Sequence, residues 1–183
     1  MSQRRESVIE GLARLARLGV EWNRPLCLIG GMAFGLRVRP RHTDDLDVVV
    51  SYGPSEVDAL LRAAQRCGYD TAHVDRELAE AGILRLGGPT SLSGLSVDLI
   101  AIDSPFLESL TRRASPLEVG GVSVPVATLE DLVLLKLDAH RPKDIDDVLA
   151  IKDVAADQLD RAYLEHWARE LGVLDRLTLY FGA

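Results

Sequence analysis

The chain predicts an α+β fold, a short mixed β-sheet flanked by helices with a helical C-terminal part. Three observations predict it. Short apolar or β-branched runs alternate with segments of helical periodicity over the first two-thirds of the chain. Beyond about residue 128 only helical patterns remain. The composition, 47% hydrophobic and 27% charged over 183 residues, is that of a globular chain long enough to bury one core. We therefore expect an α/β core with an N-terminal helix over residues 1–127 and a helical part over 128–183, packed as a single compact unit.

Each element has its own signal. Arg5 to Leu18 places Val8, Ile9, Leu12, Leu15 and Leu18 at three- and four-residue spacings, the stripe of an amphipathic helix. Pro25 to Ile29 is a short apolar run that stops at Gly30-Gly31, as a buried strand does, and Met32 to Val38 continues as helical turns. Asp45 to Ser51 is compact and β-branched, a strand. Pro54 opens a helix whose apolar positions Val57, Leu60, Leu61 and Ala64 repeat until Gly68. Arg76 to Ala81 reads as a helical turn, Ile83 to Leu86 as a strand, and Leu95 to Ile102 as a further strand. Ser104-Pro105 starts a helix through Arg113, and Leu117 to Val126 reads as a hairpin or a pair of edge strands. Thr128 with Asp131 resembles a capping box ahead of a helix over Leu129 to Ala139. Pro142 starts another helix through Val154, and Asp157 to Gly172 reads as a third.

The charge balance excludes some functions. With 21 Lys+Arg against 28 Asp+Glu the formal charge is −7, which argues against coating nucleic acid while leaving room for a local basic groove. Apolar runs are too short and too interrupted by charge to span a bilayer, so no membrane partner is expected. Met1 to Glu10 carries charges of both signs, unlike a secretion leader, and a cytoplasmic location is expected. Cys27 and Cys67 lack a CxxC partner and read as buried thiols.

The informative residues are carboxylates placed where strands should avoid them. An unpaired charge in a buried strand costs several kcal/mol. Yet Asp45 and Asp47 stand two apart at the head of a strand, and Asp98 stands alone inside Ser96 to Ile100. Side chains two apart share a face, so Asp45 and Asp47 converge and repel unless a cation lies between them. Oxygen donors suit Mg²⁺ or Mn²⁺, with Asp98 as a third ligand if the strands are neighbours. The plainer alternative is that these residues cap a strand or pair with arginines. Gly30-Gly31, after a strand and before a helix, either forms a simple turn or presents backbone N–H groups to a phosphate.

Gly30-Gly31-Met32-Ala33, then Arg41-His42-Thr43-Asp44-Asp45-Leu46-Asp47, then the apolar-flanked Asp98 occur in order. Together they resemble the nucleotidyltransferase-fold superfamily. The pattern is closest to its minimal bacterial members, the AbiEii or type IV toxin-like nucleotidyltransferases. In those proteins a downstream helical motif pairs a lysine with a following aspartate. Lys136-Leu137-Asp138-Ala139-His140-Arg141-Pro142-Lys143-Asp144-Ile145-Asp146-Asp147 looks like it, through Asp144 or Asp147. The resemblance runs from about Leu26 to Ile151.

It implies transfer of a nucleoside monophosphate from an NTP to a hydroxyl of an unidentified acceptor: a tRNA, a protein or a small molecule. By the same resemblance Asp45, Asp47 and Asp98 would hold Mg²⁺, and Gly30, Gly31 and Thr43 would contact the triphosphate. Arg41 or Lys136 would offset phosphate charge, with Asp144 completing the lysine motif. A cognate neutralising protein is implied for toxin-like members. Two other readings stay open: a catalytically silent nucleotide-binding partner in a two-component system, and a metal-dependent phosphohydrolase on another fold. Arg37, Arg39 and Arg41 form a local basic stretch, read either as a solvated loop or as a phosphate contact. His42 reads as a loop residue and Lys136 either as a site residue or as part of a polar helix face. Trp22, Tyr163, Trp167 and Tyr180 are too scattered for a base-stacking platform.

Overall fold

The computed structural model describes residues 2–87 and 95–182. Its elements in order are α1 (Ser2–Trp22), β1 (Leu26–Ile29), α2 (Gly30–Arg37), β2 (Asp45–Val50), α3 (Val57–Arg66), α4 (Arg76–Glu80), β3 (Ile83–Leu86) and β4 (Ser96–Ala101). There follow α5 (Pro105–Arg113), β5 (Ser115–Val119), β6 (Val122–Val126), α6 (Leu129–Ala139), α7 (Pro142–Ala155), α8 (Arg161–Glu170) and α9 (Leu174–Phe181). The strands form one sheet in the order β3-β4-β2-β1-β6-β5. It is mixed: β2–β4 and β1–β6 are parallel, and the remaining pairs antiparallel. The α+β architecture expected from the patterning is the one observed.

Position in the sheet explains strand composition. β1 lies between β2 and β6, and all four of its residues are buried, so it needs no polar alternation. In β2, Leu46, Val48 and Val50 are buried on one face, while Asp45 and Asp47 on the other are only half covered. Gly11 of α1 lies against Leu46, so α1 covers the face opposite the carboxylates. α2 and α6 pack together, with α2 also against β1 and β2. The cap signals operate as expected. The Ser104 hydroxyl accepts from Leu107 N ahead of Pro105, and Thr128 accepts from Asp131 N.

Two expectations need correction. The single helix over Asp157 to Gly172 is instead a short 3₁₀ turn at Ala156–Gln158 followed by α8, whose N-cap Asp160 accepts from Tyr163 N. Leu159 is buried and extended at that break, so a core contact interrupts the helix. Helix α9 carries no start signal in the sequence, because Val173 gives it no side-chain cap. It is tied down instead by long-range contacts: Arg176 donates to the carbonyls of Leu137 and Asp138 at the end of α6, and Lys152 to Tyr180 O.

The basic stretch also divides. Arg37 turns inward, donating to the carbonyls of Ala127 and Val126 and to the Ser115 hydroxyl, so it is neither a solvated residue nor a phosphate contact. Arg39 remains exposed. Trp22, Tyr163 and Trp167 serve packing: Trp22 Nε1 donates to Ser51 O, Tyr163 to Asp131, and Trp167 lies against Phe106. Both cysteines are buried thiols.

Candidate active site

Parallel pairing of β2 with β4 sets Asp47 directly beside Asp98, and Asp45 beside Ser96. Neighbours in register point to the same face, so all three carboxylates occur on one side of adjacent strands. Burial, then the charges of Asp45 and Asp98, push the Asp47 carboxyl up to about 6, with Lys143 and Arg141 pulling the other way.

The turn between β1 and α2 closes over this carboxylate. Ile29 pairs with Asp47, and Gly30 follows in the left-handed region at φ +68°. A Cβ on Gly30 would lie 1.9 Å from Asp47 Oδ2, so any other residue there must push the Asp47 carboxylate aside. Gly31 is tight in a milder way, since its Cβ would meet Thr43 Oγ1 at 3.1 Å. Gly30→Ala should thus cost about 1–2 kcal/mol in backbone strain alone and displace Asp47. Thermal melting should show a midpoint lowered by several degrees and transfer should fall as far as on loss of Asp47, with Gly31→Ala less affected in both.

Thr43 sits at the head of β2, within reach of the first strand carboxylate. Its hydroxyl donates to Asp45 Oδ1 at 2.6 Å, which orients that carboxylate. Arg41 and Lys136 converge on one acceptor, Asp147 Oδ2, Lys136 Nζ at 2.5 Å. Lys136 is buried, not on a polar helix face, and lies 3.7 Å from Asp144 and 5.4 Å from the Phe34 ring centre. Arg141 brackets Asp144, donating from Nε to Oδ2 at 2.6 Å. Burial alone would raise the Asp144 carboxyl, but the Arg141 hydrogen bond and the charges of Arg141 and Lys136 outweigh it and hold it below its ordinary value.

These residues meet at a cleft of about 210 Å³ lined by Gly30, Asp47, Lys136, Arg141 and Asp144, with Ile29, Ile100, Leu132 and Leu135 as its apolar wall. The structure brings Gly30, Asp47, Lys136 and Asp144 together there, and Asp45 and Asp98 flank Asp47. Gly31 lies against the side chains of Thr43 and Arg41, which are not part of that lining. His42 is exposed beside Asp44. Two cations were not singled out from the sequence. Arg141 sits inside the quoted lysine motif, but nothing local marks it. Arg85 on β3 grips both oxygens of Asp98, Nε to Oδ1 at 2.7 Å and Nη2 to Oδ2 at 2.6 Å.

The donors are of the kind a hard divalent cation takes: oxygen only, negatively charged, and close enough to repel. Among the described residues no three such side chains already stand as a metal cluster. Asp98 is held by Arg85 and Asp45 by Thr43, so a cation would have to draw Asp98 from its arginine. With that exchange, Asp45, Asp47 and Asp98 fit the group.

Comparison with known proteins identifies the family. The family model described as "Nucleotidyl transferase AbiEii toxin, Type IV TA system" matches residues 14–179. The chain belongs to this family and is a nucleotidyltransferase. No curated protein matches it. Among solved structures it is similar to an antigenic nucleotidyltransferase-like protein from Paracoccidioides brasiliensis, at 18% identity over 93% of this chain and 87% of that one, TM-score 0.59. It is also similar to the antibiotic-resistance factor ANT(2'')-Ia in solution, at 15% identity over 97% and 98% of the two chains, TM-score 0.56. A structure of ANT(2'')-Ia in complex with adenylyl-2''-tobramycin matches at 19% identity over 86% and 94%, TM-score 0.54. At these identities the likeness concerns the fold. Among the described residues no helix is long and apolar enough to cross a membrane.

Proposed function

We propose that the chain moves a nucleoside monophosphate from a Mg²⁺-bound (or Mn²⁺-bound) NTP to a hydroxyl on an acceptor, with pyrophosphate leaving. The observation that carries this reading is the register of Asp47 with Asp98, beside a Gly30 whose space Asp47 fills. A phosphohydrolase or a silent nucleotide binder gives no reason for a fold and family of transferases around an intact carboxylate set.

In this reading Asp45, Asp47 and Asp98 hold the divalent ions. Such ions, when bound, would supply the positive charge that stabilises the attacking and leaving oxygens of an in-line displacement. The backbone at Gly30 and Gly31 faces the triphosphate at the positive end of α2. Asp98, on the strand next to β2, orients the acceptor hydroxyl towards the α-phosphate. Arg141 and Lys143, whose charges already reach Asp47, offset charge on the leaving pyrophosphate. Lys136 adds a third positive charge from the floor of the cleft, and the apolar wall takes the uncharged part of the nucleotide. Thr43 keeps the Asp45 carboxylate aimed.

The acceptor is a tRNA, a protein or a small molecule; ANT(2'')-Ia, a neighbour in fold only, is known in complex with a nucleotidylated small molecule. The family's place in type IV toxin–antitoxin systems supports a cognate neutralising protein. The test is incubation with each α-³²P-labelled NTP and Mg²⁺, together with total RNA, lysate protein or a small-molecule extract. Label should enter one fraction, and no fraction when EDTA is present. NTP-independent hydrolysis that survives Gly31→Ala would favour the phosphohydrolase, and Mg-ATP binding without label transfer the silent binder.

A further inference from the structure

The Arg85–Asp98 pair is asymmetric. Asp98 is largely covered, at 13% side-chain exposure, whereas Arg85 is 64% exposed on the edge strand β3. Antiparallel pairing sets the two residues directly opposite each other, so the contact is built into the sheet. The guanidinium also lies in the field of Asp45 and Asp47. It is a cation at the place where three carboxylates need one.

A planar fork that engages both oxygens of a carboxylate occupies the lone pairs a metal would use. Its charge also repels a divalent ion bound to the same group. The pair cannot therefore persist unchanged beside a metal. The two partners differ in what separation costs. Arg85 is mostly solvated and returns to water cheaply. Asp98 is covered, and needs a positive partner whether or not metal is present.

We propose that Arg85 is a displaceable internal counter-ion, holding Asp98 in the metal-free protein and releasing it when a divalent cation binds. The proposal rests on the reading of Asp98 as a metal ligand. It makes Arg85 a competitor of the metal, not a ligand-like contributor to its affinity. Releasing Asp98 returns the guanidinium to solvent.

The test is Mn²⁺ titration without NTP, following the free-ion EPR signal, for the full chain, Arg85→Ala, Arg85→Lys, Asp98→Asn and the Arg85→Ala/Asp98→Asn pair. Arg85→Ala should bind Mn²⁺ about 2- to 5-fold more tightly, the range expected for losing one competing ion pair. Arg85→Lys, which keeps the charge but not the fork, should fall between it and the parent. In the Asp98→Asn background Arg85→Ala should change nothing. In EDTA, Arg85→Ala should melt below the parent, and saturating Mn²⁺ should raise its midpoint by more than it raises the parent's. Should Arg85→Ala fold poorly, the ordering of Arg85→Lys against the parent carries the test. Unchanged or weaker Mn²⁺ binding in both arginine variants overturns the proposal while leaving the metal assignment standing. A parent protein that binds no Mn²⁺, or binds it equally well as Asp47→Asn, overturns the metal assignment and the proposal with it.

Discussion

Asp47→Asn is expected to abolish transfer and, without metal, to stabilise the protein. The two effects have one cause. Asp47 sits between Asp45 and Asp98 in a partly desolvated place, and its carboxyl is pushed from 3.8 up to about 6. A raised carboxyl contributes stability that is complete below its unfolded value, near pH 4, and is lost as pH rises through about 6. Above that, the charged form burdens the metal-free fold. One pKa unit corresponds to about 1.4 kcal/mol, so allowing for partial screening by solvent the burden at pH 7 is about 2 kcal/mol. The asparagine variant has no such term. In EDTA its melting midpoint should exceed the parent's by about 4–8 °C at pH 7 for a chain of this size, and the gap should shrink towards zero near pH 4. Mg²⁺ should reverse the order at pH 7, stabilising the parent and not the variant. Transfer should fall by at least ~10²–10³-fold, the loss expected when one preorganised electrostatic group is removed. A variant that transfers label at the parent's rate would refute the two-metal assignment. One less stable than its parent in EDTA at pH 7 would show that Asp47 is compensated by something other than metal.

The contrast between Asp47 and Arg85 shows what could be read from the chain alone. The Asp45/Asp47 pair was legible because strand alternation is local: two residues apart means one face, whatever the tertiary fold. Asp98 was legible as an anomaly, a charge in an apolar strand, but its register against Asp47 depends on β2 and β4 meeting in parallel. The role of Arg85 had no local signal. Ile83-Leu84-Arg85-Leu86 is an ordinary edge strand with buried leucines and exposed alternates, and its exposed arginine matters only through its pairing with β4. Arg37 misled for the converse reason. Three arginines close in sequence suggested a shared surface, but the carbonyls and hydroxyl that draw Arg37 inward come from residues 115–127. Helix periodicity located α6 and its cap, yet it could not tell that Lys136 is buried, because the partner that makes burial affordable, Asp147, lies on the next helix.

Lys136→Met should cost about 2–3 kcal/mol of stability and most of the activity, and these two losses can be separated. Removing one member of a buried ion pair commonly costs about 3–5 kcal/mol, because the other charge is left uncompensated. Here the cost is reduced: Asp147 keeps Arg41 and Asp144 keeps Arg141. The contact of the ammonium with the Phe34 face is lost as well. Changing both partners to apolar residues of similar volume, Lys136→Met with Asp147→Leu, removes the uncompensated carboxylate and should return most of the lost stability. Arg41, 26% exposed, can then turn to solvent. If Lys136 only latches α6 to α7, this double variant recovers transfer together with its melting temperature. If Lys136 also supplies positive charge to the triphosphate, as its place in the cleft lining suggests, stability recovers and transfer does not. The expected outcome is the second, with KM for the NTP raised and kcat lowered in both variants. A double variant that melts like its parent and transfers like its parent would remove Lys136 from the site and leave the phosphate charge to Arg141 and Lys143.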